Sequence, residues 1–128
     1  MIQLDDIRDA AERIRPYIRQ TPLFHASATR ERPTDAELWL KLESLQPTGS
    51  FKARGAINAV FALSETEAAK GVCTHSSGNH AAAIARAAKL RGIPATIVMP
   101  SNTKPVKVRN GQSFGAKIVM CGPKQQGR

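Results

Sequence analysis

Between Val72 and Cys121 the chain alternates short apolar runs with helical periodicity, and that alternation leaves few folds open. Val72-Cys73-Thr74-His75, Ala95-Thr96-Ile97-Val98-Met99 and Ala116-Lys117-Ile118-Val119-Met120-Cys121 have strand length and strand composition. Between the first two, Asn79–Arg91 carries Ala81, Ile84, Ala85 and Ala88 on one helical stripe, with Gly92 as the C-cap and Pro94 as the stop. Between the last two, Lys104–Phe114 is a weaker helical stretch, because Asn110-Gly111 inside it is a turn signal. The order βαβαβ predicts an α/β fold: a parallel sheet with right-handed crossovers in a three-layer arrangement, with helices flanking both faces. Ligands of such sheets bind beyond the carboxyl ends of the strands, where the next helix begins. Ser76-Ser77-Gly78-Asn79-His80 occupies that position.

The upstream half reads differently. Leu4, Ile7, Ala11, Ile14 and Ile18 predict an amphipathic helix over Leu4–Ile18, with Asp5 and Asp6 in its first turn and Arg13 and Arg15 near its end. Pro16 is expected to kink or end it. An extended stretch starts at Thr21-Pro22-Leu23, Arg30–Asp35 is a polar loop containing Pro33, and Glu37–Glu43 alternates polar and apolar as a strand does. A helix over Phe51–Leu63 runs on Ala53, Ile57, Val60 and Phe61, and a short one over Glu65–Lys70 ends at Gly71. The tail Gly122–Arg128 is polar and has the composition of a loop or of a further helix start.

A formal net charge of +9 raises nucleic acid as a partner, but the basic residues are spread from Arg8 to Arg128 without clustered aromatics, and no such partner is expected. No apolar run approaches the roughly 20 residues of a membrane span. The N-terminus lacks the basic and apolar regions of a secretory signal, so the cytoplasm is the default compartment. Cys73 and Cys121, far apart in strand-like runs, are expected as buried reduced thiols. His25, His75 and His80 fall in no metal-ligand spacing, so no metal site is expected.

Two segments carry chemistry. Pro47-Thr48-Gly49-Ser50-Phe51-Lys52 puts a lysine at the start of a predicted helix, where the partial positive charge of the helix terminus opposes a cation. An amine whose surroundings oppose its charge loses its proton more readily and can attack a carbonyl. The same residues also describe an ordinary solvated lysine behind a simple turn and N-cap. A Walker phosphate loop is excluded, since Arg54 stands where its second glycine belongs. In Ser76–His80, the backbone N–H groups of Gly78 to His80 suit a carboxylate, the Asn79 side chain can donate to a cofactor oxygen, and Ser77 can give or take a proton. A plain capping segment uses the same residue types, and His80 on its own reads as a structural histidine.

Lys41-Leu42-Glu43, then Gln46-Pro47-Thr48-Gly49-Ser50-Phe51-Lys52-Ala53-Arg54-Gly55-Ala56, then Ser76-Ser77-Gly78-Asn79-His80-Ala81 resemble the fold type II pyridoxal-phosphate (PLP) enzymes, and within them the threonine/serine dehydratases and serine racemases. Thr21-Pro22-Leu23 and Val98-Met99-Pro100 match as well, so the resemblance covers essentially the whole chain. It implies that Lys52 forms the Schiff base with PLP and shuttles the substrate α-proton. It further implies that Phe51 lines the cofactor ring, that Asn79 hydrogen-bonds the ring hydroxyl, and that Ser76, Ser77, Gly78, Asn79 and His80 surround the substrate carboxylate. Ser77 matches the serine that racemases use as the opposite-face acid/base. The implied activity is β-elimination of a small hydroxy amino acid, L-threonine or L-serine, to a 2-oxo acid and ammonia. Serine racemisation, or an inactive fragment with a binding or assembly role, are the alternatives.

Members of that family run to more than twice this length. Their glycine-rich loop for the PLP phosphate has no counterpart here, where no two glycines are adjacent, and neither does the residue that contacts the pyridine nitrogen. The resemblance therefore implies that residues 1–48 are the incomplete N-terminal part of a large domain and residues 49–128 most of a small α/β domain. The chain is expected to be an N-terminal fragment, inactive alone and with weak or no PLP affinity, of a homo-oligomeric parent. Helix Leu4–Ile18 and strand Glu37–Glu43 would then expose apolar faces.

Overall fold

The computed structural model describes residues 1–26 and 36–123; the loop expected over 30–35 and the end of the tail, 124–128, lie outside the described residues. Helix α1 (Leu4–Ile14) opens with a capping box in which Gln3 and Asp6 bond reciprocally. It stops short of the expected residue 18. Pro16 has no N–H to continue the ladder, and the chain tightens into a 3-10 turn at Arg15–Tyr17. Only the end of α1 reaches the core: Ile14 is buried, while Leu4 and Ile7 are each 58% exposed. Strands β1 (Leu23–His25) and β2 (Trp39–Lys41) pair antiparallel, with Phe24 opposite Leu40. β2 is shorter than the strand expected over 37–43, because Glu43–Leu45 coils into a second 3-10 turn.

Helices α2 (Lys52–Phe61) and α3 (Glu65–Ala68) follow, and then the alternating region: β3 (Val72–His75), α4 (Asn79–Arg91), β4 (Ala95–Pro100), α5 (Pro105–Ser113) and β5 (Lys117–Cys121). The three strands form a parallel sheet in the order β3-β4-β5, with Thr74 beside Ile97 and Ile97 beside Ile118. The α/β class with flanking helices is therefore the observed one, in layers of sheet, then α4 with α5, then α2. The expectation of helices on both faces is corrected. Consecutive right-handed crossovers in an unreversed strand order put α4 and α5 on the same face. Among the described residues Ile97, Met99 and Ile118 are covered on that face, and Cys73, His75, Lys117 and Val119 lie exposed on the other. This also corrects the burial expected of the cysteines. Both are free thiols, but Cys73 is exposed and Cys121 half-buried, because they belong to the open face.

α4 is apolar on two sides. Ala81, Ala85 and Ala88 join Ala95, Ile97, Met99 and Ala116 against the sheet, and Ala83, Ile84 and Ala87 join Ile14, Ala56, Ile57 and Val60 on the side of α1 and α2. Gly111 does not break α5 as its turn signal suggested. It is buried, and a Cβ there would stand 3.0 Å from Ile118 Cδ1 and 3.3 Å from Met99 Cε, so glycine lets the helix settle on the sheet.

The segment before α2 is tied to it by one polar network. Arg54 Nε and Nη2 donate to the two carboxylate oxygens of Glu43 at 2.7 and 2.8 Å, and Thr21 Oγ1 donates to the same carboxylate at 2.5 Å. Buried Gln46 completes the strap, accepting from the Arg19 N–H at 3.0 Å and donating to the Arg19 carbonyl at 2.9 Å. The hydrogen bonds from Arg54, reinforced by Thr21 and Gln46, hold the Glu43 carboxyl at about 2 against the upward push of burial.

Two predictions follow from this packing. Gly71 has φ +76°, and a Cβ there would lie 2.6 Å from the Pro94 carbonyl oxygen, which accepts the Val72 N–H at 2.9 Å. Gly71→Ala is expected to lower stability by about 2 kcal/mol in urea titration. Gly92→Ala, at φ +74° with nothing within 4 Å, is expected to lose only about 1 kcal/mol. Equal losses at the two sites would refute the close approach at Gly71. The second concerns pH. Folding lowers the Glu43 pKa from its ordinary 4.5, so its stabilisation is whole above that value, declines below it and is gone by about 2. Thermal unfolding followed over this window should show the native chain losing stability more steeply than Glu43→Gln, and parallel curves would contradict the network.

Candidate active site

Lys52 is placed by a turn and by the packing of one helix on another. Gly49 turns the chain with φ +71°, its N–H bonded to the Gln46 carbonyl at 2.7 Å. Ser50 is buried, and its Oγ is 3.4 Å from the Lys52 N–H. Phe51 stands at the N-cap of α2 and is 59% exposed, and Lys52 Nζ lies 4.8 Å from the centre of its ring, within cation–π range. The buried side of α2 packs on α4 through Ala56, Ile57 and Val60. That contact carries the first turn of α4 up to the first turn of α2. Phe51, Lys52, Gly55, Ala56 and His80 together line an open cleft of about 290 Å³.

The second segment rises from the carboxyl end of β3. The Ser76 N–H reaches the Val98 carbonyl at 3.1 Å, and Ser76 Oγ accepts the Gly78 N–H at 3.2 Å. Ser76, Ser77 and Gly78 are half-buried, whereas Asn79 and His80 are exposed at the start of α4. Gly78 is the N-cap residue and no side chain caps the helix, so the first-turn N–H groups are left for an outside acceptor. A Cβ at Gly55 or at Gly78 would meet nothing within 4 Å, so the space above both glycines is open.

The structure thus brings Lys52, Phe51 and His80 onto one cleft. Ser76, Ser77, Gly78 and Asn79 form the turn that leads into His80 and do not themselves line that cleft. Gly55 and Ala56 were not singled out in the sequence, although three- and four-residue spacing from Lys52 puts them on its face of the helix. Glu43 and Arg54 were quoted in the motifs without a role. Their pairing joins positions 11 apart across two turns, and helical spacing gives no signal of it. Among the described residues no group of three or more His, Cys, Asp or Glu side chains could hold a metal ion, and no helix is long and apolar enough to cross a membrane.

Residues 14–128 match the family model described as pyridoxal-phosphate dependent enzyme. A serine racemase from Oryza sativa subsp. indica is 50% identical over 116 residues, 91% of this chain and 34% of the racemase. A beta-hydroxyaspartate dehydratase from Paracoccus denitrificans is 46% identical over 124 residues, 97% of this chain and 39% of the dehydratase. Among solved structures, the serine racemase from Dictyostelium discoideum superposes with a TM-score of 0.90 at 42% identity, covering 99% of this chain and 41% of that one. The chain therefore spans 34% to 41% of the length of these relatives, whose names divide between racemase and dehydratase. By sequence and by fold, it belongs to the fold type II family of pyridoxal-phosphate dependent enzymes, in the group of serine racemase and threonine dehydratase homologues.

Proposed function

We propose that this chain carries the lysine-bearing part of a PLP-dependent ammonia-lyase that converts L-serine or L-threonine to a 2-oxo acid and ammonia. The observation that carries the reading is the shared cleft, in which the Lys52 amine lies against an exposed aromatic ring and the uncapped start of α4 arrives beside it. The residues present fit PLP: an amine for its aldehyde, the Phe51 ring for its ring, open space above Gly55 and Gly78, and main-chain donors for an anionic substrate. The cofactor supplies an electron sink for the α-carbanion.

This chain supplies the rest of what the reading assigns. Lys52 is the residue that would hold the cofactor, and its amine would take the substrate α-proton. Phe51 supports the ring, and Asn79 donates to its hydroxyl. Ser76, Ser77, Gly78, Asn79 and His80 grip the substrate carboxylate through main-chain and side-chain donors. The β-hydroxyl would leave as water with the proton that Lys52 had taken, and hydrolysis of the released enamine would give the 2-oxo acid and ammonia. In the same reading residues 1–48 belong to a larger domain, residues 49–128 to the smaller one, and the complete enzyme is a homo-oligomer.

A second reading is favoured by one residue and one relative. Ser77 is half-buried in the turn before α4, where it would serve as the acid/base on the substrate face opposite Lys52, and the rice relative is named a serine racemase. Racemisation shares the removal of the α-proton and returns a proton from Ser77 instead of expelling water. Ser77→Ala, assayed in a protein that turns over serine, should abolish racemisation and spare elimination if Ser77 has this role. Equal loss of both activities would refute it.

The cofactor reading is tested on this chain directly. With no adjacent glycines to hold a phosphate, it is expected to need a large excess of PLP. Borohydride reduction followed by peptide mass mapping should find a pyridoxyl adduct on Lys52 that disappears in Lys52→Ala. Absence of that adduct at every PLP concentration would overturn the reading in favour of a non-catalytic binding or assembly role.

A further inference from the structure

We propose that Arg54 and Glu43 are positioning residues for Lys52: their two-pronged ion pair fixes the rotation of α2 and so aims the Lys52 amine into the cleft it shares with His80. This rests on the reading of Lys52 as the cofactor-binding lysine.

The start of α2 is closed by turn-type bonds within the segment itself, from the Ala53 N–H to the Ser50 carbonyl at 3.3 Å and from the Arg54 N–H to the Phe51 carbonyl at 3.0 Å. A helix terminus leaves its first N–H groups unpaired unless a side chain caps them. Phe51 at the N-cap cannot do so, and Ser50 Oγ reaches the Lys52 N–H only at 3.4 Å. The turn ahead passes through Gly49 in the left-handed region, the most permissive residue for backbone motion. Those turn-type bonds stay inside the turn, and apart from the burial of Ser50 and Ala53 it is the Arg54 side chain that ties the turn to the preceding segment. At 100° per residue Arg54 lies roughly 200° around the helix from Lys52, nearly the opposite side. A tether there restrains the helix without touching the amine or entering the cleft.

The tether has a defined orientation. Two parallel bonds at 2.7 and 2.8 Å fix the plane of the guanidinium against the carboxylate, which a single ammonium contact would not. Glu43 is itself held by Thr21 at 2.5 Å and by Gln46 Nε2 at 3.4 Å, so its oxygens are not free to follow a rotating helix. Gln46 is only 3% exposed and bonds both backbone groups of Arg19. Arg54 and Glu43 side chains retain 33% and 18% exposure, so the pair is shielded beyond the fully exposed kind that contributes little. The line from Lys52 thus runs through α2 to Arg54, to Glu43, and into the strap of residues 19–21.

The test uses the whole 128-residue chain as wild type, Arg54→Lys, Glu43→Gln and the double variant. Arg54→Lys keeps the charge and loses the fork, and Glu43→Gln keeps the shape and loses the charge. Two measurements are made on each. One is the rate at which borohydride traps PLP on Lys52 relative to exposed Lys70 and Lys89, read by peptide mass mapping. The other is amide hydrogen exchange over residues 50–56 relative to residues 81–88 of α4. Each single variant should slow Lys52 trapping relative to the two control lysines by roughly fivefold or more. Each should speed exchange over residues 50–56 and leave residues 81–88 unchanged, and the double variant should be no worse than the singles.

An unchanged trapping ratio with unchanged exchange at 50–56 overturns the proposal. So does exchange that rises equally over both segments, since a merely structural pair would loosen the chain as a whole. Failure of the cofactor reading looks different: wild-type Lys52 would trap no faster than Lys70. Exchange then decides the positioning claim by itself, a rise confined to 50–56 supporting it and no such rise refuting it.

Discussion

Everything near the cleft depends on how closely two helices and a sheet can approach α4. That helix is built largely of alanine, and its buried positions lie on two sides: Ala81, Ala85 and Ala88 toward the sheet, Ala83, Ile84 and Ala87 toward α2 and α1. A methyl group on each side keeps both neighbours close, and larger side chains there would force one of them away. The short distance has a functional consequence. It is because α2 lies directly on α4 that a lysine from the first turn of one and a histidine from the first turn of the other border one cleft. Cleft geometry is thus set by residues that have no chemistry of their own.

The alternating region was the most legible part of the chain, for a physical reason. β3 and α4 have the expected bounds, and β4 and β5 differ from them by one residue at one end. In these segments local periodicity and tertiary burial agree, with Gly92 in the left-handed conformation that its position after Arg91 foretold. The misses came where tertiary structure decides. The second stripe of α4 was overlooked because alanine is a weak hydrophobic signal, and a helix apolar on two sides has little amphipathic contrast. The helix expected over Lys104–Phe114 is present, and Gly111 weakened its sequence signal because the purpose of that glycine lies across space, against Ile118 and Met99. The exposure of Cys73 could not be read from a strand-like run, since it depends on which side the crossovers place their helices.

The site was legible in its residue types and only partly in its geometry. The motif around Lys52 and the Ser76–His80 turn are visible as two helix starts, and the structure puts one start beside the other. Glu43 could be quoted in a motif, but its effect on Lys52 is relayed through Arg54 and a strap of backbone. A long-range polar network of this kind leaves no trace in periodicity. It appears only when each donor and acceptor is traced to its partner.

Helix caps are unevenly distributed along the chain. α1 and α3 each begin with a capping box and acidic residues in the first turn, Asp5 and Asp6 in one, Glu65 and Glu67 in the other. Those are the choices that favour helix stability, worth about 0.5–2 kcal/mol per cap. α2, α4 and α5 have no acidic residue in the first turn and no side-chain cap, and α2 even begins with a lysine against its own dipole. Two of these three, α2 and α4, border the cleft. An acidic cap at the start of α4 would occupy the N–H groups and repel an anion, so leaving them unfilled preserves their capacity to bind a carboxylate. The lost local stability is offset elsewhere, by alanine packing along α4 and by the Glu43–Arg54 tether at α2. An uncapped helix start that is otherwise strongly anchored is what a preorganised anion site requires: donors aimed by the scaffold and not spent on it.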